Sequence, residues 1–231
     1  MALNMEDNTL NYKWNAEEWL LRFDEAKRTG RTRQLRAEVF QSTVDIIKHG
    51  EYKKLDYLPP IPLWGAVLNP DALNSNIFYN SEIDQIKVDK LRATDIKVLN
   101  KDCLECAQAL CNFGDDQVCV LNMASGSNPG GGVINGAGAQ EEYLFRCTDY
   151  YRFLFQYAKD FAPQEYGITP NPNHRYPLDN NFGGIYSPKV TVFRAPEKDG
   201  YDLIFRPWYL CVEEWEDYLQ YSRKLIISTL L

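Results

Sequence analysis

The chain has 231 residues, 45% of them hydrophobic and 25% charged, with a formal net charge of −7. This length and composition indicate a globular protein of one domain, or of one domain with an accessory region, and the acidic charge argues against direct nucleic-acid binding. The sequence has no apolar run long enough to cross a bilayer and no N-terminal signal sequence, so we expect no membrane contact and a cytoplasmic protein, or a nuclear one if the source is eukaryotic.

Residues 1–70 are predicted to form a helical accessory region and a linker. A first helix begins after Asn15, with Glu18 placed three residues later as in a capping box. A second helix ends at Gly50. Its core-facing residues recur at helical spacing and are Leu35, Val39, Thr43 and Ile46. The segment YLPPIPLWGAVLNPDALN carries four prolines and is predicted to be a linker or extended arm.

From residue 76 onward, predicted strands and helices alternate. Strands are predicted at NIFYNSEI (76–83), TDIKVLN (94–100), QVCVLNMAS (117–125), GGIYSPKVTVFR (183–194) and YDLIFRP (201–207). Helices are predicted at KDCLECAQALCNF (101–113), QEEYLFRCTDYYRFLFQYAKDF (140–161) and along the tail from residue 211. In the tail, the residues at helical spacing are Val212, Trp215, Leu219, Ser222 and Ile226. This alternation is typical of an α/β fold with a mainly parallel sheet.

Two local patterns have competing interpretations. Cys103 and Cys106 form a CxxC, which suggests zinc or redox chemistry, but no second CxxC and no suitably spaced histidine accompany it. We therefore favour two small apolar residues on a helix. The aromatic stretch TDYYRFLFQYAKDF resembles a base-stacking surface. We favour a helix that packs one side against the protein core, with Tyr151, Leu154, Phe155 and Tyr157 buried on that side.

A glycine-rich loop, NPGGGVINGAGAQEE (128–142), follows the strand that ends near Asn122. At the carboxyl end of a strand in an α/β sheet, the consecutive backbone amides of such a loop can bind an anion, and a diphosphate is the expected ligand. It is not a P-loop, because Val133 rather than Lys follows Gly132. It is not a Rossmann fingerprint either, because Glu141 occupies the position of the third small residue.

The loop ends on two adjacent carboxylates, Glu141 and Glu142. They lie on different faces of the helix they begin, so one can face a ligand while the other orients it. A carboxylate beside phosphate-binding amides suits cleavage of a glycosidic bond in a nucleotide sugar. The alternative is that both are first-turn glutamates that complement the helix dipole. A helix N-terminus also favours an ionised carboxylate, whereas a general acid must begin protonated.

The spacing GGG, seven residues, QEE resembles the signature of poly(ADP-ribose) glycohydrolases. The surrounding VLNMASGSNPGGGVINGAGAQEEYLFR, together with YPLDNNFGGIYSPKVTVFR and GYDLIFRP, resembles the microbial type of that family. The resemblance implies a macrodomain, a three-layer α/β/α sandwich that binds ADP-ribose. It implies hydrolysis of the ribose–ribose O-glycosidic bond of poly(ADP-ribose), with no metal and no cofactor.

The resemblance also implies a role for each matched residue. Glu142 corresponds to the catalytic acid that protonates the leaving ribose oxygen, and Glu141 to the partner that binds the ribose hydroxyl and orients the bond. The substrate-binding positions that it implies are Gly130, Gly131 and Gly132 against the diphosphate, Asn122 and Asn128 on the ribose side, and Gln140 before the acidic pair.

The resemblance runs from about Ser75 to Pro207. We therefore expect a partial glycohydrolase core at residues 71–207 and a divergent helical tail at residues 208–231. Family members continue through further strands and a second glycine-rich loop, so we expect a domain that is incomplete at its C-terminus. The tail, or a partner chain, would cover the missing surface. Two alternatives remain open at this point: a catalytically impaired ADP-ribose-binding module or truncated remnant of the family, and a generic α/β nucleotide-binding protein.

Overall fold

The computed structural model describes residues 13–55, 58–63, 76–79, 96–112, 118–177, 182–213 and 224–226. Helix α1 (Ala16–Thr29) begins where predicted, because Oδ1 of Asn15 accepts a hydrogen bond from the Glu18 amide at 3.1 Å. Helix α2 (Thr32–His49) ends at Gly50, whose φ of +89° is readily adopted by glycine. The predicted core face of α2 is confirmed, since Leu35, Val39, Thr43 and Ile46 are all buried.

Two sheets follow. Strands β1 (Glu51–Tyr52) and β2 (Ile61–Pro62) form a short antiparallel pair. The larger sheet has the order β3-β5-β6-β4-β7 and contains, along the chain, β3 (Asn76–Tyr79), β4 (Val118–Leu121), β5 (Phe182–Arg194), β6 (Leu203–Glu213) and β7 (Lys224–Ile226). Among the described strands, β4 pairs in parallel with β6 and with β7, whereas the β3–β5 and β5–β6 pairs are antiparallel. The predicted mainly parallel sheet is therefore wrong, because β5 and β6 are joined by a short turn that reverses the chain.

The described part of the chain has three further α-helices, α3 (Cys103–Asn112), α4 (Gln140–Cys147) and α5 (Tyr151–Leu154), and several short 3-10 helices. Helix α4 contacts both α2 and β5, and α3 contacts β4. The helix predicted over 140–161 is interrupted at Thr148, which bridges to Val192 of β5, and Asp149 bonds to the backbone of Thr191. The predicted core side is confirmed, since Tyr151, Leu154, Phe155 and Tyr157 are buried.

Helices α1 and α2 share one hydrophobic core with the rest of the described chain. Trp19 stacks on Phe23 at a ring-centroid distance of 4.4 Å and meets the edge of Tyr201 at 5.2 Å. The Thr43 hydroxyl donates to the carbonyl of Arg146 at 2.8 Å. The division of the chain at residues 70 and 207 stays a prediction, although β6 runs across the second boundary.

Two predicted elements are wrong where the structure describes them. Residues 96–99 of the predicted strand TDIKVLN have no ladder partner, and the side chains of Ile96, Val98 and Leu99 are exposed. In the predicted tail helix, 211–213 belong to β6 and 224–226 form β7, because both segments pair with β4. Trp215, Leu219 and Ser222 lie outside the described residues. Within the described ranges, no helix is long and apolar enough to span a membrane.

Candidate active site

The site is built where β4 ends and α4 begins. Gln140, the first residue of α4, is buried and forms hydrogen bonds in both directions with the chain that leaves β4. Its Oε1 accepts from the Met123 amide at 2.9 Å, and its Nε2 donates to the Leu121 carbonyl at 2.8 Å. Gln140 thereby fixes the first turn of α4 against the end of the strand, and with it the two glutamates that follow.

Both carboxylate oxygens of Glu141 are bonded to the loop backbone. Oε1 accepts from the Gly130 amide and Oε2 from the Ser125 amide, each at 2.8 Å. The side chain is only 3% exposed. Because the two donors lie on either side of the turn at Ser127 and Asn128, Glu141 holds the two limbs of the loop together.

Glu142 differs from Glu141 in how its two oxygens are used. Oε1 accepts from the Gly132 amide at 2.8 Å. Oε2 is buried and has no hydrogen-bond partner among the residues that the structure describes. A buried carboxylate oxygen without a partner is uncommon and indicates a position that a ligand, water or proton completes. Glu142 therefore presents one fixed oxygen and one available oxygen.

The glycines let both carboxylates reach the loop. Gly130 and Gly131 have φ values of +80° and +53°, which L side chains rarely adopt. A Cβ added to Gly131 would lie 2.5 Å from Oε1 of Glu142 and 3.0 Å from Oε2 of Glu141. The two carboxylates thus converge on Gly131, although adjacent residues of a helix begin on different faces. That one glutamate faces a ligand while the other orients it stays a prediction.

The amides of the three consecutive glycines are all engaged within the protein. Those of Gly130 and Gly132 donate to the two glutamates, and that of Gly131 donates to the Asn128 carbonyl at 3.0 Å. The prediction that these amides point together at a diphosphate is therefore wrong for this structure, because the adjacent carboxylates are their acceptors. Contact of these residues with a ligand through other atoms stays a prediction.

The two asparagines lie between the end of β4 and the first glycine of the loop. Asn122 directly follows β4, is 2% exposed, and donates through Nδ2 to the Tyr150 hydroxyl at 3.4 Å. The side-chain nitrogen of Asn128 donates to Oδ2 of Asp160 at 2.7 Å and to the Ser127 carbonyl at 2.9 Å. Their assignment to the ribose side of a ligand stays a prediction.

Two residues at this site were not singled out from the sequence. Arg146, one helical turn after Glu142, donates through Nη1 to the Ala137 carbonyl at 2.7 Å and through Nε to the Tyr201 hydroxyl at 2.8 Å. The available signal was its spacing, since residues four apart lie on one helix face. Tyr201 had no local signal, because 55 residues separate it from Arg146.

Beside the site, Asp149 is completely buried, and its Oδ1 accepts from the Thr191 amide at 2.6 Å. Burial raises the pKa of Asp149 to about 6, opposed by that hydrogen bond and by the Arg152 guanidinium, 3.5 Å from Oδ2. Burial also raises the pKa of Cys103 to about 12, which keeps the thiol protonated at neutral pH. In the part of the chain that the structure describes, no group of three or more potential ligands could hold a metal ion.

The family model for the catalytic domain of microbial-type poly(ADP-ribose) glycohydrolase (PARG) matches residues 40–195, which is more than half of the chain. The chain belongs to the microbial-type PARG family. The glycine loop, Gln140 and both glutamates lie inside the matched range, while α1, β6 and β7 lie outside it.

Solved structures of poly(ADP-ribose) glycohydrolases are similar to this chain in fold as well as in sequence. Poly(ADP-ribose) glycohydrolase (PARG) from Thermomonospora curvata is 28% identical with a TM-score of 0.60, over 79% of this chain and 64% of that chain. The same protein bound to the inhibitor ADP-HPD is 27% identical with a TM-score of 0.58, over 79% and 63%. The predicted α/β fold of the PARG type is confirmed. This chain spans just under two thirds of those relatives, and the comparison with curated proteins found no match.

Proposed function

We propose that this PARG-family chain is a glycosidase that hydrolyses ribose–ribose O-glycosidic bonds of poly(ADP-ribose) and releases ADP-ribose. The observation that carries the proposal is the unequal use of the two Glu142 oxygens. The Gly132 amide fixes Oε1, whereas Oε2 is buried and no described residue forms a hydrogen bond with it. A general acid needs one positioned oxygen that can hold a proton against the leaving group, and Oε2 fits that need.

In the proposed reaction, the proton on Oε2 of Glu142 passes to the leaving ribose oxygen as the bond from that oxygen to C1 breaks. Positive charge develops at C1 and the adjacent ring oxygen, as in other glycoside hydrolyses. A water molecule then adds to C1, and its proton returns to Oε2 of Glu142. The reaction consumes one water and needs neither a metal nor a cofactor.

Glu141 is assigned a binding role. Its two oxygens accept the backbone amides of Gly130 and Ser125, which fixes the carboxylate in the loop, and a carboxylate oxygen can accept more than one hydrogen bond. We propose that one of them accepts the ribose hydroxyl next to the scissile bond. Gln140 then acts indirectly, by fixing α4 to the end of β4.

The ligand proposed is ADP-ribose or its polymer, held in a macrodomain of three α/β/α layers. Support comes from the T. curvata relative, whose structure contains the inhibitor ADP-HPD. Gly130, Gly131 and Gly132 would line the diphosphate with their Cα atoms, because their amides are already bonded. Asn122 and Asn128 would flank the ribose. A cytoplasmic location, the absence of nucleic-acid binding and the possible cover by a partner chain belong to the same proposal.

The test combines a turnover assay with a binding measurement. Release of ADP-ribose from the polymer is followed chromatographically for the wild type, Glu142→Gln and the exposed control Glu25→Gln. We expect Glu142→Gln to lose on the order of 10³-fold in rate, while calorimetry shows ADP-ribose binding close to that of the wild type. Unchanged turnover in Glu142→Gln would refute the role of Glu142. Binding without turnover in the wild type would favour an ADP-ribose-binding module.

A further inference from the structure

Arg146 lies in the interior of the molecule and directs its guanidinium at the glycine loop. It is 1% exposed and sits on α4, four residues after Glu142. Its Nη1 donates to the carbonyl of Ala137, just before α4 begins, at 2.7 Å. Burying an arginine costs free energy unless its N–H groups have hydrogen-bond acceptors, so the partners of Arg146 must account for its position here.

The bond to Ala137 continues to the carboxylate of Glu142. The Ala137 amide donates to the Gly132 carbonyl at 3.1 Å, and the Gly132 amide donates to Oε1 of Glu142 at 2.8 Å. A closed ring results, which leaves α4 at Arg146, passes through Ala137 and Gly132, and returns to α4 at Glu142. A shift of Arg146 would therefore move the donor that fixes Oε1.

On its other side, Arg146 is held by a chain of polar groups that begins at the buried Tyr201 and ends at the partly exposed pair of Glu197 and Arg36. Its Nε donates to the Tyr201 hydroxyl at 2.8 Å, and that hydroxyl donates to Oε2 of Glu197 at 2.9 Å. Arg36 of α2 closes the chain with two hydrogen bonds to Glu197, of 2.7 and 2.9 Å. The hydroxyl accepts once and donates once, so each member of the chain has a defined orientation.

Two further observations show that this arrangement is tightly constrained. Tyr201 is fully buried and has a φ of +54°, a left-handed conformation that is unfavourable for a residue with a Cβ. A Cβ on Gly138 would lie 2.5 Å from Nη1 of Arg36, so the loop packs directly against that guanidinium. The residues that hold Arg146 on this side, Arg36, Glu197 and Tyr201, all lie outside the range 40–195 that the family model matches.

We propose that Arg146 is a positioning residue for Glu142, and that Tyr201, Glu197 and Arg36 hold Arg146 in place. This inference rests on the proposed function. Arg146 does not touch the substrate. It fixes Gly132 through Ala137, which fixes Oε1 of Glu142 and so aims Oε2 at the leaving oxygen. An arginine suits this task because its planar guanidinium presents two N–H groups in fixed directions, whereas a lysine is a single flexible point charge.

The experiment compares Arg146→Lys and Tyr201→Phe with the wild type. The exposed residues Arg22 and Tyr209 supply matched controls, Arg22→Lys and Tyr209→Phe. The kcat and KM are measured on poly(ADP-ribose), and the Gly132 amide proton is followed by NMR in the free protein, with Glu142→Gln as the reference for loss of its carboxylate acceptor. Thermal melts confirm that each variant is folded at the assay temperature.

We expect kcat to fall by about tenfold or more in both test variants with KM within about threefold, because small misplacement of a reacting group affects the chemical step most strongly. The Gly132 amide proton should shift in the same direction as in Glu142→Gln, and the controls should match the wild type. A wild-type kcat with an unmoved Gly132 signal in the folded variants would overturn the proposal, and so would a loss that only tracks the unfolded fraction.

The two proposals fail in different ways. If the wild type does not cleave the polymer, the proposed function fails, and the Gly132 signal alone then decides whether Arg146 controls the bond to Glu142. If Arg146→Lys does not fold, Tyr201→Phe decides, because it keeps the ring against Trp19 and removes only the hydroxyl.

Discussion

The backbone amide of Gly132 donates to Oε1 of Glu142 over 2.8 Å, across ten residues of chain. This bond gives the two oxygens of one carboxylate different surroundings, since Oε2 is buried and the described part of the chain offers it no hydrogen-bond partner. It also explains why the loop is rich in glycine. At Gly131, any side chain would occupy the space in which the carboxylate of Glu142 meets the backbone.

Gly131→Ala should damage the site, whereas Gly126→Ala should not. At Gly131, φ is +53° and the new Cβ would lie 2.5 Å from Oε1 of Glu142, while nothing lies within 4 Å of a Cβ at Gly126. We expect Gly131→Ala to lower the free energy of unfolding by about 2 kcal/mol and turnover by at least about tenfold. Gly126→Ala should stay within about 0.5 kcal/mol. Denaturant unfolding and the turnover assay test both, and equal behaviour of the two variants would refute this account of the loop.

Gly136→Ala should destabilise the protein through helix α2. A Cβ at Gly136 would lie 1.7 Å from the Arg33 carbonyl, so the helix or the loop must move. Gly30 has the same φ of +69° but open space around it, which makes Gly30→Ala a matched control for backbone strain alone. We expect a loss of about 1 kcal/mol for Gly30→Ala and about 3 kcal/mol for Gly136→Ala. Similar losses would mean that α2 does not pack on this loop as described.

Gln140→Met should weaken the junction between β4 and α4. The substitution removes the acceptor of the Met123 amide, in a partly buried hydrogen bond, and the donor to the Leu121 carbonyl, in a buried one. Leaving them unpaired should cost about 2 to 3 kcal/mol in the free energy of unfolding. Gln164→Met, at an exposed position, is the control. A loss of under about 0.5 kcal/mol in Gln140→Met would contradict the proposed junction.

Asp149 should make the protein less stable as the pH rises from 4 to 7. Its pKa in the folded state is about 6, against an ordinary value of 3.8, so between those values the folded state binds more protons than the unfolded state. The stabilisation is complete below about pH 4 and is lost as the pH rises through 6. It amounts to about 3 kcal/mol at most, from the size of the pKa shift.

Asp149→Asn isolates this contribution. The amide keeps an oxygen acceptor for Thr191 and does not titrate. The contribution of the other carboxylates to the pH dependence of stability is the same in both proteins and cancels in the difference between them. We expect the free energy of unfolding of the variant, relative to the wild type, to rise between pH 4 and 6 and then to level off. Urea unfolding at a series of pH values measures it, and a difference that is flat with pH would show that Asp149 titrates normally.

The parts of this molecule that depend on local sequence could be predicted. The cap at Asn15, the stop at Gly50 and the buried face of α2 follow from propensity and periodicity over a few residues. The location of Glu141 and Glu142 at the start of a helix after a glycine loop was also predictable, because loop and helix are contiguous.

The parts that depend on distant pairing could not be predicted. Residues 224–226 form a strand because β4, more than 100 residues earlier, offers a free edge, and this pairing overrides their helical spacing. The break at Thr148 arises from bonds to β5, 42 residues away. The inward turn of both carboxylates and the support of Arg146 by Tyr201 likewise depend on contacts that no local pattern encodes.

The central claim, that Oε2 of Glu142 delivers the proton to the leaving ribose oxygen, is tested most directly by changing the leaving group. Wild type and Glu142→Gln are compared on poly(ADP-ribose) and on an ADP-ribose glycoside with a p-nitrophenyl leaving group, which departs without protonation. Glu142→Gln should lose on the order of 10³-fold on the polymer. Its loss on the activated substrate should be at least about tenfold smaller, since only acceptance of the water proton is then missing. Equal losses on the two substrates would contradict the assignment of Glu142 as the acid.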